Sequence, residues 1–401
     1  MNVRENAQVS RRAAIISFYE AYPPASGAAS VSYNLAKFWP GDSLLLQLGS
    51  RDRRFVTDDS VRIVTLAGAT ESRPQRLVRL PRLIRRMTAE ITRTQSPTIV
   101  LEGASWAIYH WLLLQHLRRA LPHARVIYHS HNVEYLLRSQ RHRRAIAMLT
   151  RWAEAQLVKQ ADIATAVSKV DQNHFARLYG VRPVLLPNGV DTARFGGVGS
   201  EGVTRLKAAF RLDQRTLLFA GFYSYRPNRE AIDFLVRSMM PALRQRYASA
   251  TLALTGGGAP YCEPWLKNVG SIAYEDFASF VAACGIAVAP IFSGSGTRLK
   301  ILEALAAGIP VVATEKAAEG LSLIHGKDIL FASNTDEFVQ CLGKLFEDPG
   351  LAAGLRERAA LTIANFSWRR ILNDFEHTLY PHSPNLQPTN VGASAAVEPS
   401  Y

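Results

Sequence analysis

Apolar and polar positions along this chain follow one repeating grammar: a short apolar run, a polar or glycine-bearing turn, then a longer segment with apolar residues at helical spacing. Ala13 to Phe18 reads as a first buried strand, followed by the loop Tyr22-Pro23-Pro24-Ala25-Ser26-Gly27-Ala28-Ala29 and a helix from about Ser30 to Phe38. Leu44 to Leu48, Arg62 to Leu66, Thr98 to Glu102, Arg125 to His129 and Ala161 to Val167 read as further strands. Helices are expected over Trp106 to Leu121 and Arg138 to Gln160. After the turn cluster Pro187-Asn188-Gly189-Val190-Asp191 the grammar restarts, with strands at Thr216 to Ala220, Thr251 to Leu254, Ile286 to Ile291, Pro310 to Ala313 and Ile329 to Ala332. Three closing helices run from about Asp336 to Phe346, Leu351 to Asn365 and Trp368 to Tyr380. Strand and helix in alternation predict an α/β protein with parallel sheets in both halves.

No apolar run approaches the roughly 18–20 residues needed to cross a bilayer. Ser10-Arg11-Arg12 resembles the start of a twin-arginine export signal, but the apolar segment after it is short and ends at Tyr19-Glu20, as a first strand would. Cys262, Cys284 and Cys341 lack C-x-x-C spacing and imply neither a disulfide framework nor a zinc site; a reducing cytoplasm fits them.

Charge changes the picture. Of the formal net charge of +14, residues 1–190 hold 27 Lys and Arg against 13 Asp and Glu, whereas residues 191–401 hold 20 of each. The first half therefore carries the whole excess, and a basic half of this kind meets phosphate in nucleic acid, anionic lipid or a phosphorylated substrate. Within it, Arg73, Arg76, Arg79, Arg82 and Arg85 recur every third residue among Leu77, Val78, Leu80, Leu83 and Ile84. On one or two helices broken at Pro81, the segment Arg73–Arg93 gives a basic and an apolar face, suited to an anionic membrane surface or to packing on the domain's own sheet. Recognised nucleic-acid modules and interleaved aromatics are missing, so no nucleic-acid partner is expected.

Candidate chemistry concentrates in Ala289 to Thr314, read as a strand end, a glycine-bearing loop, a short helix and the next strand. Gly294 and Gly296 allow a tight turn with close backbone approach. Thr297 to Lys300 would form a first helical turn, where unpaired N–H groups attract anions, and Arg298 and Lys300 add full positive charges. Glu303 lies one turn on. An ordinary strand-to-helix connection would show the same pattern, so this stretch alone does not decide the matter. His129-Ser130-His131-Asn132-Val133-Glu134, at another strand end, could hold sugar hydroxyls or a phosphate. Two His at i, i+2 with no third ligand in view argue against a metal there.

The order of these signals resembles the large retaining family 4 of GT-B glycosyltransferases, also called group 1. The resemblance rests on Pro23-Pro24…Gly27, His131-Asn132-Val133-Glu134, the strand end at Ser168, and the inter-domain signature Pro187-Asn188-Gly189-Val190-Asp191. It continues through Phe219-Ala220-Gly221 with Pro227-Asn228, Gly294-Ser295-Gly296-Thr297-Arg298-Leu299-Lys300, Glu303-Ala304-Leu305-Ala306-Ala307-Gly308-Ile309-Pro310, and Phe366-Ser367-Trp368 before a last helix. It implies two Rossmann-like domains facing across a cleft: residues 1–190 on the acceptor side, residues 191–367 binding the nucleotide sugar, a helix 368–380 crossing back, and a disordered tail over 381–401. It further implies that Glu303 holds the ribose hydroxyls, that amides near Gly296 to Lys300 with Arg298 and Lys300 hold the diphosphate, and that Gly27 approaches the phosphates from the other domain. His131 is then the contact for the transferred sugar.

Two departures stand out. The family commonly places glutamates eight positions apart, ending at the one matched by Glu303; here the earlier position is Ser295. A branch with G-S-G-T-R-L-K resembles the chain better. The basic pair that many members place after the Gly221 strand is also not evident, leaving Arg226 as its substitute. The expectation is a metal- and cofactor-independent sugar transferase, cytoplasmic or peripheral on the inner face of the membrane, that uses a nucleotide sugar as substrate and a glycan or lipid-linked acceptor in surface polysaccharide or glycolipid synthesis. A sugar-nucleotide epimerase of the same fold and a binding protein with a degenerate site, suggested by Ser295, are the alternatives.

Overall fold

A computed structural model describes residues 11–68, 73–103, 107–141, 144–294 and 299–380. In the first half lie β1 (Ala13–Ser17), α1 (Gly27–Lys37), β2 (Ser43–Gly49), β3 (Arg53–Val56), β4 (Arg62–Ala67), α2 (Arg73–Thr94), β5 (Thr98–Glu102) and α3 (Ala107–Ala120). They are followed by β6 (Arg125–Ser130), α4 (Glu134–Arg141), α5 (Arg144–Gln160), β7 (Ile163–Ala166), α6 (Lys169–Tyr179) and β8 (Val184–Leu185). These strands form one sheet in the order β3-β4-β2-β1-β5-β6-β7-β8. Its central apolar runs hide a period of two. Ala14, Ile16, Leu44, Leu46, Ile99 and Leu101 face a layer built by α2, α3, α5 and α6, while Ala13, Ile15, Leu45 and Val100 face α1 on the other side. A strand covered on both faces reads as continuously apolar because every side chain is buried.

The second half contributes α7 (Thr192–Gly196), α8 (Ser200–Phe210), β9 (Thr216–Ala220), α9 (Arg226–Phe234), α10 (Met240–Arg246), β10 (Thr251–Thr255), β11 (Leu266–Gly270), α11 (Tyr274–Ala283) and β12 (Ile286–Ala289). It closes with α12 (Leu299–Ala306), β13 (Val311–Ala313), β14 (Leu330–Phe331), α13 (Thr335–Glu347), α14 (Pro349–Ile363) and α15 (Trp368–Leu379). Its sheet is parallel throughout, in the order β11-β10-β9-β12-β13-β14. Helix α15 leaves this half: Trp368, Ile371, Leu372, Phe375 and Leu379 are buried in the same cluster as Ile15, Leu45 and Val100 of the first sheet. At roughly 1.5–3 kcal/mol for each large apolar side chain fully buried, that helix belongs energetically to the first sheet.

The chain crosses between the sheets twice, and the crossings pair. The Val190 amide donates to the Phe366 carbonyl at 2.8 Å, and the Trp368 amide donates to the Val190 carbonyl at 3.2 Å. Further contacts join the halves at Lys37, whose Nζ lies 2.7 Å from Asp191 and 2.9 Å from Asp59. Tyr274 at the start of α11 packs its ring against Tyr22 and Tyr33.

The structure departs from the sequence expectations in several places. The first sheet is not wholly parallel: β3 runs antiparallel to β4, joined by the tight connection 57–61 in which Ser60 has φ +63. Its alternating half-exposed pattern is that of an edge strand, a short signal that a search for continuous apolar runs passes over. The expected helix Arg138–Gln160 is two helices, α4 and α5. Helix α4 starts at Glu134, where the amides of Glu134 and Tyr135 are taken by the Glu154 carboxylate. Helix α2 runs through Pro81 unbroken. Residues 381–401, expected to form a tail, lie outside the described residues. Among the described residues no helix is long and apolar enough to cross a membrane.

Candidate active site

In open parallel sheets ligands sit beyond the carboxyl ends of the strands, where the strand order reverses. In the second sheet that point is β9, flanked by β10 and β12; in the first it is β1, flanked by β2 and β5. The loops after β9, β12, β1 and β5 therefore form the rim of the crevice.

Three glycines let the backbones of the second half crowd together there. A Cβ on Gly221 would lie 2.6 Å from Asn228 Nδ2, and one on Gly256 would lie 2.6 Å from the Gly221 carbonyl carbon. Gly294 has φ +94, and its Cβ would lie 2.9 Å from Pro227 Cγ. The clamp of Asn228 on the β9 loop is completed by its Nδ2, which donates to the Phe222 carbonyl at 3.1 Å. Its Oδ1 accepts from Lys300 Nζ at 3.0 Å, and Lys300 also lies over the Phe219 ring, 4.2 Å from its centroid. The ammonium is thus aimed at the end of β9 by a residue 72 positions away in sequence. Glu303, one turn further along α12, has its carboxyl pushed up to about 7 by burial, against the opposing pull of Arg194 and Lys300. Ser295, Gly296, Thr297 and Arg298 lie outside the described residues. Arg226 begins α9 and pairs with Glu230 at 2.7 Å, and Glu230 in turn accepts from Ser293 Oγ. The side chain is mostly exposed, and its partner is this carboxylate.

The first half supplies the opposite wall. Gln47 Oε1 accepts the amides of Ala21 and Tyr22, fixing the loop that leads to α1. Ser26 caps α1, accepting the Ala29 amide at 3.3 Å. Gly27, the first residue of α1, faces α12 directly: a Cβ there would stand 3.5 Å from Leu299 Cδ1, an ordinary van der Waals contact. The N-terminal ends of α1 and α12, one from each half, therefore meet across the crevice, and both direct positive helix-dipole ends at it.

One turn into α1, Ser32 Oγ donates to Glu102 Oε2 at 2.7 Å. The same carboxylate oxygen lies 2.7 Å from Nε2 of His131, the strand-end histidine expected to touch the sugar. His129 sits beside them, its Nδ1 2.7 Å from Thr165 Oγ1. Burial pushes the Glu102 carboxyl up, but the neighbouring His131 and His129 and its hydrogen bonds prevail and hold it low. Burial dominates for His129 and lowers it to about 4, so it is neutral at physiological pH. Glu102, Ser32 and Arg194 were not singled out by sequence reasoning, and Asn228 was named only as part of the Pro227-Asn228 motif. Of the three, Glu102 carried a usable signal, a carboxylate closing the otherwise apolar strand Thr98–Glu102.

Glu102 also supplies the third donor that the histidine pair lacks in sequence, since ligand atoms of Glu102, His129 and His131 all lie within 4.8 Å of one another. The residue types suit a cation. The 2.7 Å separation of Glu102 and His131 is nevertheless that of a shared proton; two ligands on a tetrahedral zinc at ~2.0–2.2 Å stand roughly 3.3 Å apart.

The chain matches two family models. Residues 25–194 match the one described as Glycosyltransferase Family 4, and residues 214–348 match that of Glycosyl transferases group 1. It is 27% identical over 242 residues to a GDP-mannose-dependent alpha-(1-6)-phosphatidylinositol monomannoside mannosyltransferase of Mycolicibacterium smegmatis, covering 55% of this chain and 60% of that one. To a D-inositol 3-phosphate glycosyltransferase of Kineococcus radiotolerans it is 26% identical over 247 residues, covering 54% and 56%. The chain thus spans about three fifths of the length of the curated relatives it matches. Among solved structures, sucrose-phosphate synthase from Thermosynechococcus elongatus superposes with a TM-score of 0.73 at 17% identity, covering 93% of this chain and all of that one. Anabaena HepE in complex with UDP and glucose gives 0.70 at 16%, covering 92% and 99%. With both halves matched in order and this architecture, the chain belongs to glycosyltransferase family 4, the group 1 glycosyl transferases, and has the GT-B fold.

Proposed function

We propose that the protein transfers a hexosyl unit from a nucleotide-sugar donor to a glycan or lipid-linked acceptor. The observation that carries this reading is the meeting of α1 and α12 across the crevice, with Lys300 and Glu303 on one side and His131 on the other. Breaking a sugar–phosphate bond leaves an oxocarbenium-like sugar and a diphosphate of growing negative charge. Amide dipoles and a fixed ammonium stabilise that charge, an effect that reaches several kcal/mol in water-excluded sites. On this reading Lys300, with Arg298 and the amides of the 294–299 segment, takes the diphosphate, Glu303 takes the ribose hydroxyls, and His131 takes the sugar. Same-face attack assisted by the departing phosphate, with retention and without a metal, suits this set of residues.

For the acceptor we favour a lipid-borne one. Helices α2, α3 and α5 share one layer, and their two carboxylates, Glu90 and Glu154, are both buried. Outward stand Arg79, Arg82, Arg85, Arg119, Arg144 and Lys159, with Val78, Met148, Leu149 and Trp152 exposed among them. A basic layer studded with apolar side chains suits the anionic inner face of a cytoplasmic membrane. The named activities of the mannosyltransferase relatives make GDP-mannose the first donor to test.

The test is calorimetric titration of the full chain with GDP-mannose and UDP-glucose, followed by NMR of the transferred sugar's anomeric configuration. Binding of one donor and its loss in Lys300→Ala and Glu303→Ala support the reading. Turnover indifferent to both substitutions would remove the site assignment, and an inverted product would remove the retaining mechanism.

A further inference from the structure

Glu102 is a charged group in an expensive place. It is fully buried at the end of β5, its Oε2 is shared by Ser32 and His131, and its Oε1 has no hydrogen-bond partner among the described residues. A buried carboxylate is destabilising unless its neighbours hold it, so this one calls for a role beyond packing. The groups facing it come from three elements. Ser32 is on α1, and His131 follows β6. His129 is on β6 and is itself held through Nδ1 by Thr165 of β7. Tyr19 follows β1, its hydroxyl 2.7 Å from Ser32 Oγ. Tyr19 and His129 are the other titratable groups in this set. Burial first, then Glu102, raises the Tyr19 phenol far out of range, and His129 is neutral. His131 is therefore the member of the cluster whose ring nitrogen meets the carboxylate directly. An ionised carboxylate accepts only, so the hydrogen between it and His131 Nε2 is the imidazole's.

We propose that Glu102 is a positioning residue for sugar transfer: it accepts a hydrogen bond from the Nε2–H of His131, fixes the ring's orientation and tautomer, and leaves Nδ1 as the nitrogen presented to the sugar. Ser32 couples this pair to the crevice, because it sits on α1, whose first residue faces Leu299 of the other half. A carboxylate behind an imidazole sets which nitrogen is protonated and where the ring points. This inference rests on the assignment of His131 to the sugar.

The test uses the full chain labelled with 15N-histidine, Glu102→Gln as an isosteric neutral variant, and turnover of GDP-mannose. A strongly hydrogen-bonded Nε2 proton on His131 is expected in the parent protein and shifted or lost in Glu102→Gln, with the melting temperature of that variant used to show that it folds. Turnover is expected to fall about 10–100-fold in kcat with little change in KM. Adding Glu102→Gln to His131→Ala should then cost nothing more, since both remove one unit. Additive losses, or a His131 resonance indifferent to Glu102→Gln, overturn the proposal alone. Unchanged turnover in His131→Ala overturns it through the underlying assignment, while the resonance still reports whether the pair exists. If the parent does not turn over GDP-mannose, the resonance decides. Activity lost on chelation and restored by zinc would show that Glu102, His129 and His131 hold a metal rather than a proton, and overturns it as well.

Discussion

Gly189 lies against the backbone of Phe366: a Cβ on it would stand 2.8 Å from the Phe366 carbonyl oxygen and 2.9 Å from the Trp368 amide nitrogen. The two segments that join the halves run side by side at this point, and only glycine lets them approach so closely. Gly189→Ala is therefore expected to destabilise the protein by about 1–3 kcal/mol, the usual cost of overpacking. Denaturant unfolding measures it, and a variant as stable as the parent would show that the crossings can separate freely.

If Glu303 takes the ribose hydroxyls as proposed, donor binding depends on pH. Its carboxyl is raised from 4.5 to about 7, so the folded protein holds a proton there that the unfolded chain gives up. The stability contributed by this group is fully present below about pH 4.5 and is lost as pH rises through about 7. A ribose hydroxyl donates to the ionised form, so affinity for a nucleotide sugar should rise between pH 6 and pH 8. Calorimetry across that range should show the rise in the parent and a flat profile in Glu303→Gln. A parent profile as flat as the variant's would remove the ribose contact.

Lys300, held by Asn228 and the Phe219 ring, carries its charge to the end of β9. A charge-assisted hydrogen bond contributes ~1.5–3 kcal/mol, so Lys300→Ala should weaken GDP binding by roughly 10–100-fold while affecting guanosine little. Equal losses for both would mean that the lysine acts through the fold and not on the diphosphate.

Glu154 ties α4 to α5. Its carboxylate accepts the Glu134 amide at 2.7 Å, the Tyr135 amide at 3.1 Å and the Tyr179 hydroxyl at 2.6 Å. Glu154→Ala leaves three donors without their partner, at about 1–3 kcal/mol for each that stays buried, and should lower the unfolding midpoint sharply. Adding Tyr179→Phe should cost less in this background than alone, because the hydroxyl it removes has already lost its acceptor. A double variant with simply summed losses would argue against a shared network.

The basic layer gives the last expectation. Lys or Arg near an anionic leaflet contributes roughly 1 kcal/mol, so the double variant Arg82→Glu/Arg85→Glu should sediment with anionic vesicles at least tenfold less than the parent. Neutral vesicles should bind neither protein well. Equal binding of the parent to both vesicle types would dismiss the electrostatic attachment.

Sequence alone determined the strand–helix alternation, the glycine-bearing loops at strand ends, and the point at Pro187–Asp191 where the grammar restarts. Those features are local: periodicity, turn chemistry and a strand's burial on two faces are written in neighbouring residues. Tertiary structure decided what the loops hold. Ser32 meets Glu102 across 70 positions, Lys300 meets Asn228 across 72, and Trp368 returns to a sheet that began at Ala13. Each of these contacts depends on the order in which strands lie side by side, which places β1 next to β5 and β9 next to β12. That order follows from packing two faces of a sheet at once, and the spacing of residues along the chain does not carry it. His131 was therefore visible as a histidine at a strand end, while the carboxylate behind it became visible only once β5 and β6 lay together.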